Sequence, residues 1–177
     1  MGDVNNDKPH LLNRPFLTVA RRLATMRGMP DELTIRPARS EDAGTIRRLV
    51  RSARLDPTSL DWPNFLVAEL DGRTVGIGQV KPYPSARELG SLVVLKTYRG
   101  RGIGAAIVRA LIERERRDLF LFSRDALESY YAQFGFRRVG WKNLRGSLRW
   151  KYALAQTFRL LFRVRIIAMF RPHASRS

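Results

Sequence analysis

The sequence predicts an α+β fold built on a mixed, partly antiparallel sheet. Apolar alternation and helical periodicity give the element order β-α-β-β-β-α-β-α-β over residues 33–141. Three strands follow one another without a helix, and Asp71-Gly72 is a strong signal for a tight hairpin between the first two. A doubly wound fold would alternate strand and helix throughout, so this order excludes it.

The first half of the domain is predicted to contain a strand, a helix and a hairpin. Ser40 is expected to cap the helix, with acidic residues in the first turn where they complement the helix dipole. Pro82 and Pro84 are expected to close the second hairpin strand. The predicted elements are the strand Leu33–Arg36, a helix with the apolar face Ile46, Leu49 and Val50, the loop Asp56–Pro63, and the strands Phe65–Leu70 and Thr74–Val80.

The second half is predicted to return to the sheet three times. Gly135 is a plausible C-cap for the short helix that precedes the final strand. The predicted elements are the strand Glu88–Val94, a glycine-rich turn, the helix Ile103–Arg116, the buried strand Leu119–Phe122, the helix Ala126–Phe134 and the core strand Phe136–Trp141.

A formal charge of +17 over 177 residues predicts an anionic partner: nucleic acid, an anionic membrane or a polyphosphate cofactor. All but five of the 33 basic residues are arginine, a bias that genome composition alone also produces. Charge informs on association rather than on fold, so both interpretations stay open.

The missing residue types exclude several chemistries. The chain has no cysteine, which removes disulfides, thiolate zinc sites and a cysteine nucleophile. Its histidines, His10 and His173, lie near opposite ends, so we expect neither a histidine base in the body of the domain nor a protein-held metal.

Composition divides the chain into a basic arm at residues 1–32, a domain at 33–146 and a cationic extension at 147–177. No Asp or Glu occurs after Glu128, and Leu148–Arg171 has the texture of an amphipathic helix. That helical appendage would pack on the domain or on a second subunit, or lie on anionic lipid, with nucleic acid the less favoured partner. The absence of a secretory leader or membrane span predicts a cytoplasmic protein, with peripheral membrane association as the alternative.

The most specific motif is Arg99-Gly100-Arg101-Gly102-Ile103-Gly104, at the junction of a predicted strand and helix. Its glycines allow backbone N–H groups to face one anion at the helix start. A Walker A loop would continue with Lys-Ser/Thr, which Ala105-Ala106 does not supply, and a dinucleotide fingerprint needs a different glycine spacing. The turn therefore predicts a phosphate-bearing ligand of another class.

The same turn resembles the R/Q-x-x-G-x-G/A motif of the GNAT acetyltransferase superfamily, which holds the pyrophosphate of coenzyme A. Arg99, Gly102 and Gly104 match it letter for letter. The element order is that of a GNAT domain, and Tyr131…Gly135-Phe136 looks like the family's Y-x-x-x-G-F segment. The resemblance covers about residues 33–140.

This resemblance implies a GNAT-like mixed β-sheet with flanking helices and an acetyl-CoA-dependent N-acetyltransferase that needs no metal. The acyl group would pass to a primary amine on a small molecule or peptide. The residues expected to bind coenzyme A are Leu92, Val93, Val94, Arg99, Gly100, Arg101, Gly102, Ile103, Gly104 and Ala105.

Glu88 is the leading candidate for the base, because several family members carry a catalytic glutamate there and no histidine is available. The alternative is a solvated strand-end residue paired with Arg87 or Lys81. Strict alternation would place Glu88, Gly90, Leu92 and Val94 on one face of the strand.

Tyr131 matches the family's tyrosine that protonates, or hydrogen-bonds, the coenzyme A thiolate, with Tyr130 as a packing residue. The lack of cysteine favours direct transfer in a ternary complex. A second hypothesis is a non-catalytic GNAT scaffold that docks on anionic membrane or nucleic acid. Residues near the expected acceptor mouth would suit a cationic amine: Asp56, Asp61, Trp62, Glu69 and Tyr83.

Overall fold

The fold is built on one seven-stranded sheet. The computed structural model describes residues 33–84, 86–140 and 165–173. The strands are β1 (Thr34–Pro37), β2 (Phe65–Leu70), β3 (Arg73–Tyr83), β4 (Ala86–Val94), β5 (Leu119–Arg124), β6 (Arg137–Val139) and β7 (Ile166–Arg171). The helices are α1 (Ala43–Ser52), α2 (Ile103–Arg114) and α3 (Glu128–Ala132). The spatial order is β1-β2-β3-β4-β5-β7-β6.

The sheet is mixed, as predicted. β1 to β4 pair antiparallel, β4 and β5 pair parallel, and β7 pairs antiparallel with both β5 and β6. At the β2–β3 turn Asp71 and Gly72 both have positive φ, +50° and +70°, the conformation that a two-residue hairpin with the sheet's own twist requires. The predicted α+β class is therefore confirmed.

Each face of the sheet has its own core. The face that packs on α2 and α3, here the α2 face, buries Leu89, Ile107, Leu111 and Tyr131. The opposite face, here the α1 face, packs Ile46 and Val50 of α1 against Phe65, Ile77 and Val93. A smaller cluster on that same face joins Ala86, Phe120 and Ala168 of β4, β5 and β7.

The helical interpretation of Leu148–Arg171 is wrong at its end, because Ile166–Arg171 is strand β7. Ile167 and Met169 enter the α2-face core while Ala168 faces the other side, so an apolar run that also fits a helix alternates as a central strand. The sheet thus extends past the predicted domain boundary at 146. The arm at 1–32 and residues 147–164, with the predicted lipid and subunit contacts, lie outside the described residues.

Strand β3 runs through Pro82, although Pro82 was expected to end it. The pairing of β3 with β2 stops at Gln79, so beyond that point the strand has a neighbour only in β4. Proline is tolerated where the ladder on one side is absent, because its missing N–H then leaves no acceptor unpaired. The extra length carries Lys81 into the sheet.

An ion network rather than the expected Ser40 cap holds the start of α1. Arg36 on β1 donates to Asp42 Oδ2 at 2.7 Å and to Glu69 Oε1 on β2 at 2.6 Å. Asp42 Oδ2 also accepts from the Arg39 N–H at 2.7 Å. The Arg36 guanidinium lowers the pKa of both carboxyl groups, so the three side chains are ionised at neutral pH.

Candidate active site

The glycine turn connects β4 to α2 through two left-handed residues. Gly100 and Gly102 have φ of +78° and +76°, a region that side-chain-bearing residues rarely adopt. The Ala106 N–H donates to the Gly102 carbonyl at 3.0 Å, which is the first bond of the helix. The N–H groups of Ile103, Gly104 and Ala105 precede that bond and have no acceptor within the helix. They form the positive end of a twelve-residue dipole.

Two arginines flank this turn. Arg99 Nε donates to the Val94 carbonyl at 3.1 Å, which ties the turn to the end of β4. The Arg101 guanidinium lies over the Tyr98 ring, 5.4 Å from its centroid. Both side chains are exposed, so their charge is available to an anion placed at the turn.

Gly104 is close to a tyrosine of α3. A Cβ at this position would lie 3.0 Å from Tyr130 Oη and 3.6 Å from a Val94 methyl. Residue 104 must therefore be small, and Tyr130 contacts the first turn of α2 rather than only packing in the core.

Strands β4 and β5 separate beside the turn. Their parallel pairing covers Arg87, Glu88 and Leu89 and ends there, although β4 continues to Val94. Gly90, Ser91 and Leu92 are consequently half-buried in the middle of the sheet. A wedge-shaped gap opens between the strands, with the backbone of residues 90–94 along one side.

A β-bulge lies in this free part of β4. Gln79 pairs with Gly90 and Ile77 with Val93, so β4 has one residue more than β3 across the interval, and Ser91 takes φ +50°. Leu92 packs on the α2 face while Val93 packs on the α1 face. The prediction that Glu88 and Gly90 share a face with Leu92 and Val94 is therefore wrong, because the bulge reverses the alternation between them.

Glu88 is buried at the base of the gap. Glu88 is 5% exposed and is the third residue of the nine-residue strand β4. Its register partners on the neighbouring strands are Lys81 of β3 and Phe120 of β5. The interpretation as a solvated strand-end residue is therefore wrong. Its Oε1 lies 3.4 Å from where a Cβ on residue 90 would be, so the carboxylate extends along the α1 face toward the bulge. Arg87 forms its own ion pair with Glu115, at 3.5 Å.

Lys81 binds the loop between α1 and β2 to the α1 face of the sheet. The residue is 1% exposed, and its Nζ donates to Asp56 Oδ2 at 2.8 Å and to the Thr58 carbonyl at 2.9 Å. Because the Asp56 side chain is 36% exposed, this contact lies where the buried face meets solvent. Asp56 is thus a member of the predicted acceptor mouth that lies on the same face of the sheet as Glu88.

Tyr131 lies on the other side of the sheet from Glu88. Its ring is 8% exposed, packs edge-on against Tyr130 at 5.0 Å and Phe136 at 6.2 Å, and belongs to the α2-face core. Burial raises the pKa of Tyr131 to about 12 and also raises the pKa of Tyr130. Both hydroxyls therefore keep their protons at neutral pH.

Gln79 is a buried polar residue that the sequence interpretation did not select. It has no exposed surface, and its Nε2 donates to Ser91 Oγ at 2.9 Å, across the bulge. Its Oε1 is the one buried side-chain polar atom without a hydrogen-bond partner in the described part of the chain. Leaving such an atom unpaired costs about 1–3 kcal/mol. The available signal was a glutamine in the middle of an otherwise apolar core strand.

Over residues 33–84, 86–140 and 165–173, no group of three or more His, Cys, Asp or Glu side chains has the arrangement of a metal site. Within those same ranges, no helix has the length and apolarity to cross a bilayer.

Residues 61–138 match the family model described as acetyltransferase (GNAT) domain. This match confirms the resemblance drawn from the sequence over residues 61–138, and the mixed sheet with flanking helices agrees with it. No curated protein matched the chain.

Solved structures share the fold at low identity. N-acetylglutamate synthase from Neisseria gonorrhoeae, complexed with coenzyme A and N-acetyl-glutamate, matches with a TM-score of 0.66 and 21% identity over 81% of this chain. The match spans 36% of that longer chain. Rv2747 from Mycobacterium tuberculosis, in complex with CoA and NLQ, matches with a TM-score of 0.63, 20% identity, and coverage of 78% of this chain and 98% of its own. The ribosomal-protein-S18-alanine N-acetyltransferase of Escherichia coli matches with a TM-score of 0.61, 16% identity, and coverage of 82% and 97%.

Proposed function

We propose that this protein is an acetyl-CoA-dependent N-acetyltransferase that transfers the acetyl group to a primary amine by direct attack. The observation that carries the proposal is the glycine turn at the start of α2, placed beside the gap between β4 and β5 within a GNAT domain. Two of the solved structures with this fold are complexes with coenzyme A, which supports the same ligand here.

The residues at the turn fit a diphosphate followed by an extended thiol arm. Free N–H groups at the helix start and two exposed arginines complement the negative charge. Small residues at 100, 102 and 104 leave the backbone accessible, and the unpaired edge of β4 offers backbone groups to an extended chain. The proposed contacts are Leu92, Val93, Val94, Arg99, Gly100, Arg101, Gly102, Ile103, Gly104 and Ala105.

Bound acetyl-CoA would supply the thioester carbonyl carbon that the amine attacks. A lysine-like amine has a pKa of about 10.4 in water and must lose a proton before it can attack. Glu88 is proposed to take that proton, since it is a buried carboxylate at the base of the gap. Backbone N–H groups of residues 92–94 are proposed to stabilise the charge that develops on the carbonyl oxygen.

Tyr131 is proposed to stabilise the departing thiolate as a hydrogen-bond donor. With a pKa of about 12 it is a weaker acid than a thiol, whose pKa is near 8.5. Complete proton transfer to the sulfur would then be uphill by roughly 5 kcal/mol. A hydrogen bond from the neutral hydroxyl needs no such transfer. The attacking nitrogen loses a second proton as the amide forms, and that proton can reach the thiolate through solvent.

The positions of Glu88 and Tyr131 on opposite faces of the sheet support this division of roles. A carbonyl carbon held in the gap between β4 and β5 is accessible from both sides. The new C–N bond would then form on the α1 face, next to Glu88, while the C–S bond breaks toward the α2 face, next to Tyr131.

Ligand-induced stabilisation tests the proposal without knowledge of the acceptor. A ligand that binds only the folded state at one hundred times its Kd stabilises it by about 2.7 kcal/mol, so acetyl-CoA should raise the Tm by several degrees. Dephospho-acetyl-CoA and pantetheine are graded controls, because the second lacks the diphosphate that the turn would hold. An unchanged Tm at millimolar acetyl-CoA would contradict the proposal. Release of free thiol across a panel of amines would then identify the acceptor.

A further inference from the structure

A strip of buried polar residues divides the α1 face of the sheet. Gln79 and Lys81 on β3 face Gly90 and Glu88 on β4 in register, and we call Gln79, Lys81 and Glu88 the polar strip. Each member is 5% exposed or less. Apolar clusters flank the strip, one around Ile77 and Val93 and the other around Ala86, Phe120 and Ala168. A continuous apolar face would avoid the cost of desolvating these groups, so their presence calls for a function.

Within the strip, Gln79 lies closest to the bulge. It pairs with Gly90, one position before Ser91, and its Nε2 is bonded to Ser91 Oγ at 2.9 Å. That bond ties the Gln79 carboxamide to Ser91 at the bulge. The other end, Oε1, has no partner among the described residues although the side chain is fully buried.

An amine that attacks a carbonyl carbon beside the bulge needs hydrogen-bond acceptors for the hydrogens on its nitrogen. After a primary ammonium gives one proton to a base, its nitrogen keeps two hydrogens, and its lone pair must point at the carbonyl carbon. Acceptors for those hydrogens orient the lone pair and limit its rotation. In the proposed function the nitrogen lies between Glu88 and the bulge, which is the interval that Gln79 spans on the adjacent strand.

We infer that Gln79 Oε1 accepts a hydrogen bond from the nitrogen of the acceptor amine and holds it for attack. This inference rests on the proposed function and adds a substrate-contacting residue to it. It also defines the acceptor class, because a nucleophile must retain a hydrogen after deprotonation to satisfy Oε1. A primary amine retains two hydrogens, whereas an alcohol or a thiol retains none, so Gln79 selects for nitrogen.

The acceptor would enter where the strip meets solvent. Asp56 and Thr58 cover Lys81 there, and the Asp56 side chain is partly exposed.

Three variants test the assignment, with an amine found by thiol release as substrate. Q79L removes both polar ends and should lower kcat/KM for the amine about tenfold or more, while the KM for acetyl-CoA stays unchanged. Its Tm should equal or exceed the wild-type value, because an unpaired buried oxygen is lost. Q79E keeps an oxygen near the Oε1 position and should recover part of the activity.

S91G separates the substrate contact from support of the bulge. Glycine tolerates the positive φ at residue 91 and removes the hydroxymethyl group whose oxygen Nε2 contacts. It should affect kcat/KM for the amine less than Q79L does.

Equal losses in Q79L and S91G, or a lower Tm in Q79L, would overturn the inference and assign Gln79 a structural role. Failure of the proposed function has another signature: wild-type protein would neither bind acetyl-CoA nor release thiol with any amine, and the inference would fall with it.

Discussion

At the residue scale, burial assigns different chemistry to the two candidate catalytic groups. Glu88 is held by the sheet on the side from which the amine would arrive, and Tyr131 is held by α3 on the other side. In the proposed mechanism, the raised pKa of Tyr131 suits a hydroxyl that donates a hydrogen bond and stays protonated. Each role can be tested by a substitution that preserves shape.

Glu88→Gln should lower kcat at neutral pH by about 10²–10⁴-fold, the usual value of general base catalysis. Stabilisation by acetyl-CoA should be unchanged, since Glu88 lies on the α1 face, away from the glycine turn. The residual rate should rise toward pH 10, where solvent deprotonates the amine. Glu115→Gln is the matched control, because this carboxylate pairs with Arg87 instead. A wild-type rate in Glu88→Gln at neutral pH would remove Glu88 as the base.

Tyr131→Phe should reduce kcat by about tenfold to a hundredfold, because a hydrogen bond to a charged group contributes about 1.5–3 kcal/mol. The ring remains, so the Tm should change little. Tyr130→Phe is the control, since its ring packs edge-on in the same aromatic cluster while its hydroxyl lies at Gly104. Stopped-flow detection of thiol release measures both. Equal effects of the two substitutions would mean that Tyr131 has no special role.

At the scale of elements, the junction of β4 with α2 carries the proposed site. The strand ends in a bulge and a free edge, and the helix begins at a left-handed glycine. Both elements would be needed to bind the ligand. The start of α2 provides the helix dipole for the diphosphate, and β4 provides the free backbone edge for the thioester arm.

Gly102→Ala should raise the Kd for acetyl-CoA and destabilise the fold by about 1–2 kcal/mol. The added methyl group meets nothing within 4 Å, so the cost comes from the left-handed backbone alone. Gly44→Ala is the matched control, because Gly44 is an exposed position within α1 with equally open space. That change should stabilise the protein by about 0.5–1 kcal/mol. Calorimetric titration and urea unfolding measure the two quantities, and unchanged acetyl-CoA affinity in Gly102→Ala would argue against the turn as the anion site.

Local sequence patterns predicted most of these elements. The predictions failed where an element depends on pairing with residues far away in the chain. Asp71-Gly72 and the face of Ile46, Leu49 and Val50 depend on neighbours in the chain, so the sequence was informative there. The strand at Ile166–Arg171 depends on edges offered by β5 and β6, which no local window contains. The bulge at Ser91 likewise arises from register against β3, and it reassigned the face of Leu92. The motif located the turn, while the role of Gln79 emerged only from burial and pairing.

At the scale of the whole molecule, one ion network joins the first strand, the first helix and the hairpin. Arg36 connects Asp42 with Glu69, and the pKa of each carboxyl is lowered by that contact. A carboxyl group whose pKa is lower in the folded state than in the unfolded state stabilises the protein at any pH above its unfolded-state pKa. That stabilisation is lost as the pH falls through the folded-state pKa. The loss therefore belongs below about pH 4, where ordinary Asp and Glu side chains take up protons.

Asp42→Asn should lower the free energy of unfolding at pH 7 by about 1.5–3 kcal/mol, the value of hydrogen bonds between charged groups. The difference from wild type should shrink as the pH falls below 4, because protonation then breaks the same contact in the wild type. Glu41→Gln is the control, since its carboxylate is 65% exposed. Urea unfolding between pH 3 and 7 provides the comparison, and a difference that stays constant with pH would contradict the assignment.

The position of β7 between β5 and β6 also constrains how the chain reaches this structure. Arg124 pairs with Ile166 across roughly forty intervening residues, so closing that contact costs loop entropy before any pairing is gained. During synthesis, β5 emerges well before its neighbour and presents an open hydrogen-bonding edge with apolar side chains. Completion of the sheet is therefore a late, non-local step, and the half-built sheet is the species most exposed to wrong pairing with other chains.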